Sequence, residues 1–173
     1  MQRTLALALT ALAACSSALP EPPRLDLEAH CRLTLEGFRE ASPHVAERLD
    51  AAIAWAVFPE VEDSRADCDH AGLVFHRRGP PRPARLRCAA APGTPGGLSY
   101  HTLVIFGDTA DVDALERGSL GLQDAPHCSP HDAPALPDAG ASLLVVTSER
   151  GGVLFDAQPL RQTLELVAPG ARD

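Results

Sequence analysis

Histidine and cysteine at close spacing are the residues here best suited to chemistry. His127-Cys128-Ser129-Pro130-His131-Asp132 gathers two imidazoles, a thiol and a carboxylate in one short stretch, and Cys68-Asp69-His70 supplies another thiol and imidazole. Thiolate and imidazole are ordinary zinc ligands, so a fold that joined the two segments would make a metal-dependent enzyme centred on His70, His127 and His131. The competing fate of the same thiols is oxidation. A disulfide and a thiolate ligand exclude each other, so the compartment of the chain decides between them.

Other catalytic patterns do not emerge. Gly118-Ser119-Leu120-Gly121 lacks the Gly-x-Ser-x-Gly spacing of a hydrolase elbow, and no glycine-rich loop of phosphate-binding type occurs. The carboxylates are scattered, so no acid and base pair stands out. No catalytic residue is therefore assigned and no cofactor is expected. Arg77, Arg78, Arg82, Arg85 and Arg87 do cluster around Arg78-Gly79-Pro80-Pro81. They could meet lipid phosphates at a membrane surface, or serve as the charges that keep a hairpin soluble.

The N-terminus bears on the compartment. After Met1-Gln2-Arg3 comes an apolar run, Leu5 to Ala11, too short to span a bilayer, and then Leu12-Ala13-Ala14-Cys15. This resembles the lipobox of bacterial lipoproteins: a branched residue, two small residues for a narrow peptidase cleft, and the cysteine to be lipidated. The resemblance implies a signal peptide over residues 1–14 and lipidation of Cys15, with several acyl chains giving a durable anchor. Ser16 and Ser17 follow in place of an aspartate, a context similar to proteins sent to the outer membrane, facing the periplasm. Ala18-Leu19-Pro20-Glu21-Pro22-Pro23 would make residues 15–24 a short stiff tether.

Export accounts for the cysteines. The chain has five, and lipidation of Cys15 leaves Cys31, Cys68, Cys88 and Cys128, which in an oxidising space would make two disulfides in any of three connectivities. The charge excludes other partners. With 15 basic residues, all arginine, against 23 acidic ones and a net charge of −8, no long-range field favours nucleic acid. The partners to expect are the membrane, through the anchor, and a lipid or an envelope protein.

Positioning these residues requires a domain, read as one unit over residues 25–173. Leu27, Cys31, Leu35 and Phe38 fall on one helical face, and Ser42-Pro43 starts a second helix carrying Val45, Leu49, Ala52, Ile53 and Ala56. Trp55-Ala56-Val57-Phe58-Pro59 is aromatic and β-branched and reads as a strand stopped by proline, with Trp55 and Phe58 in the core. Further strands are expected over 71–76, 84–89, 98–106, 141–147, 153–156 and 163–167, with turns at Arg78-Gly79-Pro80-Pro81 and Gly151-Gly152. A short helix capped by Asp108 or Thr109 buries Val112 and Leu115 and ends at Gly118. The proline-containing stretch 123–140 reads as a long loop tied down by Cys128. Helices first and mostly consecutive strands afterwards imply an α+β fold, N-terminal helices on a mainly antiparallel sheet.

Three segments, spanning about residues 51–165, resemble the SYLF family of lipid-binding domains, which also occur in exported lipoproteins. Ala51 to Val61 is similar to the family's opening helix-to-strand signature ending Val57-Phe58-Pro59. Leu98 to Asp108 is similar to its central strand before a short helix, and Leu143 to Gly151 to its last hairpin. Between Val61 and Arg87, where the family carries a glycine-rich hairpin, this chain has only Gly72 and Gly79. The resemblance implies a non-enzymatic domain that binds lipid or another envelope component. A structural envelope lipoprotein with no small ligand is the third reading, beside the metal enzyme.

Overall fold

The computed structural model describes residues 26–63, 68–89, 98–122, 124–130, 143–149 and 162–168. The segments expected as signal peptide and tether lie outside them, with Cys15, as do His131, Gly151-Gly152 and the strand expected over 153–156.

Helix α1 (Leu27–Ala41) forms on the expected stripe, burying Cys31 and Phe38. Glu28 in its first turn and Arg39 in its last complement the helix dipole, and Arg32 bonds Glu28 one turn back, Nε to Oε1 at 3.0 Å. Helix α2 (Pro43–Ala51) follows after one residue. The break has a steric cause. Proline at the first helical position forbids helical geometry in the residue before it, and Ser42 is extended at φ −152, ψ 120.

Strands β1 (Ala54–Asp63), β2 (Cys68–His76), β3 (Arg82–Cys88) and β4 (Leu98–Phe106) are followed by α3 (Thr109–Glu116). Then come β5 (Ser119–Gly121), β6 (His127–Cys128), β7 (Leu143–Glu149) and β8 (Gln162–Leu166). All eight strands join one sheet in the order β5-β8-β3-β2-β1-β4-β7-β6. Every pairing is antiparallel except β6 with β7. The α+β class is thus as the sequence implied. β5 and β6 are additions, too short to show a period.

One expectation is overturned. Pro59 does not stop β1, which continues to Asp63. The ladder with β4 shifts between Phe58 and Val61, a bulge that accommodates a residue with no N–H to donate. The extra residue also resets the alternation, so Phe58 and Val61, three apart, face the same core. The turn expected at Gly151-Gly152 and the strand expected to follow it over 153–156 fall outside the described residues. β7 pairs with β4 and β6, and β8 with β3 and β5, at opposite ends of the sheet. Their sequences are apolar strands with no mark of the partner that each takes.

Both faces of the sheet are buried. On one, Cys31, Phe38, Val45 and Leu49 from α1 and α2 pack on Val57, Leu73, Phe75, Leu103, Ile105, Leu144 and Val146. The other face buries itself by curling. Gln162 of β8 donates to Tyr100 Oη of β4 at 3.3 Å, although β3, β2 and β1 lie between those strands. On a flat sheet the two would stand roughly 19 Å apart. The edges are drawn together by chain length as well. Residues 122–126 link β5 at one edge to β6 at the other, and so short a link reaches about 20 Å at most, while a flat sheet would set these edges roughly 34 Å apart. The link is pinned at both ends, Leu122 N to Gln162 O at 2.8 Å and Val145 N to Pro126 O at 2.9 Å. Inside the curl lie Phe58, Val61, Val74, Leu86, Val104, Phe106 and Leu164, with Leu115 of α3 and Leu122.

Candidate functional site

The interior of the curled sheet is apolar for most of its length and polar at one end. The polar end is built by register. Cys88, the last residue of β3, is directly opposed to Cys68 of β2 on one side and to Gln162 of β8 on the other. Gln162 Nε2 lies 3.7 Å from Cys88 Sγ and 3.3 Å from the Tyr100 hydroxyl. Two residues along β4 from Tyr100, Thr102 pairs with Phe58 of β1 and Thr147 of β7.

Gln162 and Thr102 are 2 % and 0 % exposed, yet Gln162 Oε1 and Thr102 Oγ1 have no hydrogen-bond partner among the described residues. A buried polar atom left unpaired costs about 1–3 kcal/mol, so a donor brought within reach of either atom would be stabilised there. Gln162, Tyr100 and Thr102 are absent from the sequence-based site. Their signal was nevertheless legible, since in β8 the polar Gln162 occupies the same alternate row as Leu164, which is buried.

His70, opposed to Leu86 on β3, lies two residues along β2 from Cys68. Burial lowers the pKa of its imidazole below the ordinary 6.5; the carboxylates of Glu62 and Asp69 and contacts with the Glu62 and Glu60 backbone oppose the shift without cancelling it. The shift favours the neutral ring, whose backbone contacts lie on β1. His127, by contrast, approaches the Leu122 carbonyl through Nε2 at 3.2 Å, and Cys128 Sγ donates to Val145 O at 3.8 Å. Both are turned to their own backbone surroundings. No three His, Cys, Asp or Glu side chains gather as a metal site among the described residues, and His131 lies outside them.

The four cysteines do not form the two disulfides expected. No disulfide joins Cys31, Cys88 and Cys128 to one another. The sheet is the reason. Cys31 and Cys128 pack on the helix-covered side, whereas Cys88 belongs to the interior core. Cys31 donates to Val57 O at 3.5 Å, and burial, above all, pushes its pKa from 9.0 to about 12. Cys128, in β6, is three strands away from β1, on the order of 14 Å.

The arginines are dispersed rather than pooled. Arg77 Nε donates to Ala52 O at 2.6 Å and its other arm to Asp50 O, closing the C-terminus of α2. Arg82 pairs with Glu116 of α3. Arg85 and Arg87 stand between Asp69 and Glu165 on the outer face, with Arg87 Nε 3.4 Å from each carboxylate. Arg78 alone of the five has no partner among the described residues, and it is exposed at the hairpin turn.

No known protein family matches the chain, and no curated protein does. Among the described residues no helix is long and apolar enough to cross a membrane.

Proposed function

We propose that this chain is an exported envelope lipoprotein, anchored by lipid on Cys15, whose SYLF-like α+β domain binds a lipid or another cell-envelope component without catalysing a reaction. The observation that carries the anchor is Leu12-Ala13-Ala14-Cys15 directly behind a short apolar run. The binding reading is supported by the amphipathic character of the interior, apolar along the curl with the unsatisfied Gln162 and Thr102 at one end. That polarity matches a molecule with a hydrocarbon body and a polar head. The outer membrane, facing the periplasm, is the location the serines after Cys15 favour.

Two measurements test it. Metabolic labelling with radioactive palmitate should mark the parent chain and leave Cys15→Ala unlabelled; label persisting in the variant rejects the anchor. Full-length Cys15→Ala protein, mixed with phosphatidylethanolamine and phosphatidylglycerol vesicles, should float with them if the domain itself recognises lipid. Its failure to float, while the parent floats, leaves an envelope-protein partner or a purely structural role. Because four of the five arginines are engaged within the fold, Arg78→Ala is the arginine variant expected to weaken flotation, with Arg87→Ala nearly neutral.

A further inference from the structure

Of the three ways to pair four cysteines, the sheet removes two. Any bond from Cys88 to Cys31 or Cys128 would have to pass through the β-sheet, since those thiols pack on the other side of it. Cys68, however, is the direct antiparallel partner of Cys88 in the β2–β3 ladder. Directly opposed residues in such a ladder have Cα atoms about 4.5 or 5.5 Å apart according to the type of pair. Disulfides span Cα separations of roughly 4.4 to 6.8 Å, so either type of pair admits the bond without moving a strand.

From this register we propose that Cys68 and Cys88 are a redox-active pair that closes to one cross-strand disulfide on oxidation, tying the open end of the β2–β3 hairpin beside Gln162, with Cys31 and Cys128 outside any disulfide. The oxidant is a disulfide of low molecular mass or of a thiol oxidoreductase. One cysteine thiolate attacks a sulfur of that disulfide, forming a mixed disulfide and expelling one thiolate. The second cysteine then displaces the other, so two protein thiols are oxidised, one external disulfide is reduced, and two protons leave with the released thiols. The pairing rests on strand register and does not depend on export or on lipid binding.

Peptide mapping decides it. The full-length chain is incubated with oxidised glutathione, acid-quenched, alkylated under denaturing conditions and digested without reduction. The expected map contains one cross-linked pair joining the Cys68 and Cys88 peptides, with Cys31 and Cys128 alkylated. A link from Cys88 to Cys31 or Cys128, or alkylation of both Cys68 and Cys88 after oxidation, overturns the proposal. As a second readout, reduction should lower the melting temperature of the oxidised parent by about 5–10 °C and leave that of Cys68→Ala unchanged. An equal shift in both proteins would mean that the stabilising bond is elsewhere.

Discussion

Gly72 shows how much one hydrogen atom in place of a methyl can decide. A Cβ added there would come closer than 3.0 Å to the Phe58 ring and to the Val57 carbonyl oxygen, one of them backbone and unable to yield. Gly72→Ala is expected to destabilise by about 3 kcal/mol, at the upper end of overpacking costs, read as a lower urea midpoint. Gly37 lies in the exposed part of α1, where an added Cβ would meet nothing within 4 Å, so Gly37→Ala should instead raise stability by about 1 kcal/mol through helix propensity alone. His70 adds a pH dependence. Its folded pKa lies below the ordinary 6.5, so the unfolded chain takes up a proton first as pH falls. Its contribution to stability is therefore complete above that ordinary value and is lost as pH falls below it toward the folded pKa. Between roughly pH 8 and pH 5 the melting temperature of the parent should fall more than that of His70→Gln.

Among elements, α2 depends on a residue far from it in sequence. Nine residues are too few for a helix to hold by itself, and the carbonyls at its C-terminus are satisfied by Arg77 from the β2–β3 turn. Arg77→Ala should cost about 1.5–3 kcal/mol, the range for hydrogen bonds to a charged group, while Arg78→Ala should leave urea denaturation unchanged. Residue type and spacing could not separate these neighbours; both are arginines at a turn. The difference is that Arg77 sits beside the end of α2, a proximity created only when β1 and β2 pair from Ala54 and His76. The helices themselves, and β4 with its following helix capped by Asp108, were readable because periodicity and capping are local properties.

In the whole molecule, closure of the sheet is the feature on which the interior depends. Leu122 lies in the link between the two edges, fully buried, and its backbone N–H bonds β8. Leu122→Ala should cost about 2–5 kcal/mol, the range for a buried leucine, and should raise amide exchange in β5 and β6 more than in β1 and β4. Exchange rising uniformly over all strands would instead mean that the link is not a separate closing unit. The order of strands also explains why four well-spaced cysteines are not stapled in two pairs. The sheet separates Cys88 from Cys31 and Cys128, and those two, on one side of it, lie too far apart along the strand order to meet.

Local features are legible in the residues alone: two N-terminal helices split at Ser42-Pro43, the β2–β3 hairpin, the strand over 98–106, the α+β class, and the N-terminal residues on which the lipoprotein reading rests. Each follows from periodicity, caps or turn chemistry within a few residues. Folding in three dimensions alone sets β8 beside β3, opposes Cys68 to Cys88, and brings Gln162 to Tyr100 at a polar end of the interior. Those relations arise from the curl of the sheet and the pairing of strands distant in the chain, and an apolar strand carries no label for the neighbour it will take.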